Sequence, residues 1–215
     1  MFIDRKDAGI QLAGRLKRYS EKKESFVLAL PRGGVVTGAE IARLLRIPLD
    51  VLIVRKIGHP LQPELAVGAV SETGTVELNQ SIIAASGVSK AYIDEEVSVQ
   101  KREISRRVEL YRSGKGIVPL EGKTIILVDD GVATGATLKA AIATLRREKI
   151  SRLVVAVPVA PPETAGELGR MADEFICLET PSNFMAVGAH YQDFVQVTDD
   201  EVVKLLRQST PGHVI

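Results

Sequence analysis

Two adjacent carboxylates, Asp129 and Asp130, stand where an aliphatic run ends and a loop of small residues begins. The full stretch reads Thr124-Ile-Ile-Leu-Val-Asp-Asp-Gly-Val-Ala-Thr-Gly-Ala-Thr137. A glycine-bearing turn that opens a helix is an anion site. Free backbone N–H groups converge there, the helix dipole favours negative charge, and the hydroxyls of Thr134 and Thr137 add donors. Carboxylates repel phosphate, yet they accept well from vicinal hydroxyls, directly or through a divalent metal. The ligand that satisfies both halves carries a phosphate at one end and a diol near it, as a ribose 5-phosphate does. A Walker loop is excluded, because no Gly-Lys-Ser/Thr ending follows.

These residues need a scaffold, and the sequence supplies one by alternation. Thr124 to Val128 has no helical spacing and reads as a strand buried on both faces. An amphipathic helix opens at Thr137. Phe26 to Leu30 is a second buried strand, Pro31-Arg-Gly-Gly-Val35 its turn, and Thr37 to Arg46 the returning helix. Leu49 to Val54 continues as a strand, which completes a βαβ unit. Later, Arg152 to Val157 and Phe175 to Leu178 are strands on either side of a helix over Pro162 to Met171. The order predicts an α/β fold, a doubly wound parallel sheet of about five strands with flanking helices. Ligands in such sheets bind beyond the carboxyl ends of the strands. Arg32-Gly33-Gly34, Arg55-Lys56 and Asp129 to Thr137 each follow a predicted strand and are expected to share one crevice.

Other segments are read more coarsely. Asp4 caps a first helix to about Tyr19. Arg55 to Glu64 is a loop by its prolines and glycine. Leu65 to Ser71 and Thr75 to Leu78 flank a hairpin turn, Glu72-Thr-Gly74. Ser89 caps a long charged helix to about Arg112, with Ile93, Val97, Ile104, Val108 and Tyr111 on its apolar face. Residues 179–197 lack periodicity and hold Phe184, Tyr191 and Phe194, three of the nine Phe and Tyr residues. Thr198 and Glu201 form a capping box for a last helix to about Arg207.

The chain of 215 residues suits one domain over 1–215, with residues 65–112 as hairpin plus inserted helix. A net charge of +1 supplies no general field for nucleic acid or an anionic membrane. The one cysteine, Cys177, reads as a buried strand residue rather than a reactive thiol. His59, His190 and His213 show no metal spacing. With no signal-peptide core and no membrane-length apolar run, the expected location is the cytoplasm.

The strand, the two acids and Gly-Val-Ala-Thr-Gly-Ala-Thr resemble the phosphoribosyl diphosphate (PRPP) site of type I phosphoribosyltransferases. The resemblance covers nearly the whole chain and implies transfer of a phosphoribosyl group to a nitrogen nucleophile, with pyrophosphate released. It implies Asp129 and Asp130 on the ribose hydroxyls, and Gly131, Val132, Ala133, Thr134, Gly135, Ala136 and Thr137 around the 5-phosphate. Arg32, Gly33 and Gly34 resemble the pyrophosphate loop of adenine phosphoribosyltransferases, where a cis peptide is expected at Arg32-Gly33. Arg55 and Lys56 take the place of cations facing pyrophosphate. Glu72 falls at an acid that contacts adenine, and so is a candidate for handling the acceptor's proton.

Ala133 replaces the acid that 6-oxopurine enzymes use on their base, which disfavours hypoxanthine and guanine. The long helix before Thr124 and the late aromatic segment depart from the adenine enzymes and resemble a poorly characterised bacterial branch of predicted phosphoribosyltransferases. Residues 179–197 stand where the family has an acceptor-binding hood, so Phe184, Tyr191 and Phe194 are candidate stacking residues, although such aromatics also serve as core. Magnesium is expected to arrive with PRPP, with no residue assigned as its own ligand. A homodimer in nucleotide metabolism, of the purine-salvage kind, is implied. A non-catalytic PRPP or nucleotide sensor of the same fold stays open as the alternative.

Overall fold

The computed structural model describes residues 1–209, so His213 lies outside the described residues. In chain order the elements are α1 (Arg5–Arg15), β1 (Ser25–Ala29), α2 (Gly33–Leu45), β2 (Leu49–Val51), β3 (Val54–His59), β4 (Gln62–Ser71) and β5 (Val76–Leu78). There follow α3 (Gln80–Ser86), α4 (Lys90–Arg112), β6 (Thr124–Val128), α5 (Ala136–Arg147), β7 (Arg152–Val159), α6 (Pro162–Met171), β8 (Glu174–Glu179) and α7 (Asp199–Ser209).

Five strands form a parallel sheet in the order β2-β1-β6-β7-β8. Because side chains alternate along a strand, each strand feeds two cores. Val27, Ala29, Ile126 and Val128 pack with Leu12 and Ile41 of the α1 and α2 side and with Val202 of α7. Phe26, Leu28, Ile125 and Leu127 pack with Leu138, Ile142 and Leu168 of α5 and α6. The expected doubly wound parallel sheet of five strands is present.

A second sheet, antiparallel β3-β4-β5, departs from the sequence reading. Arg55 to Glu64, read as a loop, is β3 and the start of β4. Pro60 stands between the two strands, and Gly58 lies where the register shifts. A β-carbon at Gly58 would lie 2.8 Å from the Pro63 carbonyl oxygen, so the glycine permits an irregular strand rather than breaking it. The expected strand Leu49 to Val54 ends at Val51, and the chain passes into the second sheet at Val54. α3, capped by Asn79, was not anticipated. The cis peptide lies at Pro31-Arg32, one bond before the expected Arg32-Gly33.

The caps at Asp4 and Ser89 and the Thr198–Glu201 box form as read. Ile57 and Val67 of the second sheet share a small core with Ile93 of α4.

Candidate active site

β1 and β6 are paired in parallel, so the segments leaving them emerge side by side. From β1 comes Arg32, at the head of α2, with Gly33 and Gly34 as the first helical residues. From β6 come Asp129 and Asp130. A β-carbon on Gly33 would fall 1.8 Å from Asp130 Oδ2, and one on Gly34 would fall 3.0 Å from Asp129 Oδ1. Glycine is therefore required at both positions for the two segments to meet.

The Asp130 backbone N–H donates to Asp129 Oδ1 (2.9 Å). Burial, followed by the neighbouring charge of Asp130, pushes the Asp129 carboxyl well above the usual carboxylate range. Two acids held this close, one of them desolvated, are a donor set that gains from a cation. That chemistry fits a magnesium ion carried on a ligand's own oxygens.

The loop after the acids is pinned from beneath. Val132 N–H donates to the Val159 carbonyl (2.9 Å), and the Thr164 hydroxyl donates to the Ala133 carbonyl (2.9 Å). Gly131, with φ +146, lies under the hood, where a β-carbon would strike Val187 at 2.3 Å. Gly135, with φ +75, caps α5 in the left-handed region that disfavours other residues. Ala133 and Thr134 are exposed at the loop tip, while Ala136 and Thr137 are half-buried in the first turn. The N–H groups of that turn lack partners within the helix and suit a phosphate.

The expected cations divide. Arg55 Nε–H donates to Gln100 Oε1 of α4 (2.9 Å), so it faces the inserted helix rather than the acids. Burial, then Arg107, lowers its affinity for its proton. Lys56, the next residue on the strand, points to the opposite face, that of Val54 and its pairing partner Ala69, toward the main sheet.

Glu72 is buried, with its side chain 4% exposed. Its Oε1 accepts from Ile53 N–H (2.8 Å), and its Oε2 is paired with Arg112 at the end of α4. Arg112 also reaches Asp50 Oδ2 (3.4 Å). Both Glu72 oxygens are thus already engaged within the fold.

The hood sits over the acid pair. The Tyr191 hydroxyl donates to the Asp130 carbonyl (2.6 Å), and the Tyr191 ring lies 4.9 Å from Phe194 and 5.3 Å from Phe2. Phe184 stacks on His190 at 5.4 Å. Tyr191 is buried, and Phe184 and Phe194 are half-buried. Sequence reasoning missed Arg5, whose guanidinium bonds to Asp130, and Arg112. Neither carried a local signal, since one looked like a helix start and the other like the end of a charged helix.

The phosphoribosyl transferase domain family matches residues 4–193, a span that holds both acids, the glycine loop and the hood as far as Asp193. The chain belongs to this family. A Mycobacterium tuberculosis (strain H37Rv) protein, provisionally named a phosphoribosyl transferase, is 46% identical over 206 residues. That match covers 96% of this chain and 46% of the relative, so the chain spans about half the length of the curated relatives it matches.

Among solved structures, TT1426 from Thermus thermophilus is 42% identical with a TM-score of 0.83, covering 98% of this chain and 99% of that one. A purine phosphoribosyltransferase from Pyrococcus horikoshii shares the fold at 17% identity and a TM-score of 0.50, covering 90% of this chain and 93% of its own. Among the described residues, no helix is long and apolar enough to cross a membrane.

Proposed function

We propose that this phosphoribosyl transferase moves the 5-phosphoribosyl group of PRPP to a nitrogen nucleophile and releases pyrophosphate, with inversion at the anomeric carbon. The observation that best supports this reading is the contact of Gly33 and Gly34 with Asp130 and Asp129, beside the left-handed Gly135 that opens α5. A phosphate turn, a pair of diol acceptors and a glycine loop for the leaving group adjoin one another.

In this reading the loop from Gly131 to Thr137 holds the 5-phosphate, and that binding energy positions the anomeric carbon. Asp129 and Asp130 accept from the ribose hydroxyls and offset the positive charge that builds on the ring. Arg32, the backbone N–H groups of Gly33 and Gly34, and Lys56 face the departing pyrophosphate. Arg55 joins them only by leaving Gln100. Magnesium would arrive on the oxygens of PRPP, with the acid pair beside it, and would supply charge neutralisation for the leaving group. Phe184, Tyr191 and Phe194 line the acceptor side, and Ala133 leaves no acid there for a 6-oxopurine. The protein would do this in the cytoplasm, as a homodimer.

Pyrophosphate release from magnesium PRPP, measured against a panel of nitrogenous bases, tests the proposal. Release that depends on one class of base supports it. Tight PRPP binding without release on any base points instead to the non-catalytic sensor, and failure to bind PRPP removes both readings.

A further inference from the structure

The acid pair has a cationic neighbour that comes from neither of the two loops. Arg5, the first residue of α1, donates from Nε to Asp130 Oδ2 (2.6 Å) and from a terminal N–H to the Val195 carbonyl (2.7 Å). The same guanidinium lies 3.7 Å from the centre of the Phe194 ring. The side chains of Arg5 and Asp130 are only 11% and 15% exposed. One planar group thus touches Asp130, the hood backbone and a hood ring at once.

Gly33 completes the arrangement. A β-carbon there would fall 1.8 Å from Asp130 Oδ2 and 2.8 Å from Arg5 Nε. Oδ2 is walled in by the glycine backbone and the guanidinium, which leaves Oδ1 to meet a ligand hydroxyl. A fork of fixed N–H donors anchors a carboxylate in this way better than a flexible ammonium does.

We propose that Arg5 is the positioning residue of the ribose site, anchoring Asp130 through Oδ2 so that it meets the PRPP diol as an aimed acceptor, and tying the hood to that same acid. This rests on the PRPP reading above. The other groups around the contact are mostly acids. Asp129 is on the same loop, Glu201 at the head of α7 feels Arg5, and Glu179 at the end of β8 faces Tyr191. Arg32 stands at the head of α2 beside Gly33. The Tyr191 hydroxyl, raised by burial and then by Asp130, stays neutral and donates to the Asp130 carbonyl.

Three variants test this: Arg5→Met, Arg5→Lys, and Arg5→Met combined with Asp130→Asn. Thermal unfolding needs no ligand. Arg5→Met should lower the unfolding midpoint by about 5 °C, because it leaves the Asp130 carboxylate without its partner, and adding Asp130→Asn should recover most of that loss. A double variant that recovers nothing would mean that Arg5 only packs against Phe194, and the proposal fails.

Calorimetry with magnesium PRPP gives the second readout. Arg5→Met should bind about tenfold more weakly, and Arg5→Lys, which keeps the charge beside Asp130, should recover part of that loss. Wild-type affinity in Arg5→Met overturns the role of Arg5 alone. A wild-type protein that binds no PRPP overturns the functional reading itself, and with it the ribose-positioning role.

Discussion

Gly33 and Asp130 are in such close contact that a β-carbon on the glycine would lie 1.8 Å from the carboxylate oxygen and 2.6 Å from Cγ. The contact joins the end of β1 to the end of β6, and its partner atoms belong to the acid expected to receive the ribose. Neither atom can yield without moving the chemistry.

Gly33→Ala should therefore force Asp130 to rotate or α2 to shift. Overpacking of this kind costs about 1–3 kcal/mol of stability. Affinity for magnesium PRPP should fall at least tenfold, about 1.4 kcal/mol. Calorimetry on the folded variant checks it, and unchanged affinity would separate the glycine loop from the ligand.

Asp129 supplies a pH dependence. Its folded carboxyl holds its proton more tightly than the unfolded one, chiefly through burial. The stability this contributes is fully present below the unfolded value near pH 4 and is lost as pH rises through the raised folded value. Asp129→Asn has no such term. It should be the more stable protein at pH 8, with the gap closing toward pH 4, while its PRPP affinity falls. Urea denaturation at the two pH values measures the gap, and a gap of constant size contradicts the account.

Glu72 and Arg112 should behave as one unit. Removing either partner leaves the other charge buried, a loss of about 3–5 kcal/mol. Glu72→Gln keeps the acceptor for Ile53 N–H and Arg112→Met removes the cation. The double variant should be less destabilised than the sum of the singles. Additive losses in a double-mutant cycle would show that the pair is not coupled.

Cys177 is a test of chemistry without function. Burial pushes its thiol up to about 11, and Sγ lies 3.1 Å from the Glu179 carbonyl. At pH 8 about one thiol in a thousand is then ionised. Iodoacetamide should label the native protein far more slowly than the urea-unfolded protein, at a rate that climbs with pH. Cys177 is half-buried in β8 rather than fully buried as read from the sequence, and rapid labelling of the native form at pH 7 would refute even that shielding.

The acid pair and its loop were legible because their signals are local. Thr124 to Val128 is unbroken and aliphatic, Gly131 and Gly135 mark the positions where the backbone turns left-handed, and the acids sit between strand and turn. The second sheet was not, since Gly58 and the two prolines spell a loop by composition while cross-strand pairing to β4 overrides them. Arg55 and Lys56 look like one cationic patch in sequence, but strand alternation sends them to opposite faces. Glu72 was placed in the right turn, yet its burial depends on Arg112, forty positions later. Arg5 and Asp130 are 125 positions apart, and no spacing rule reaches that far.

The first residues of the chain are woven into the hood. Phe2 N–H donates to the His190 carbonyl, Gln192 N–H returns to the Phe2 carbonyl, and Asp193 N–H reaches the Ile3 carbonyl. The leading residues and the segment far downstream are therefore a single clasp. A purification tag joined directly ahead of Met1 would press on the cover of the acid pair, so a tag after α7 is the safer handle for any binding measurement.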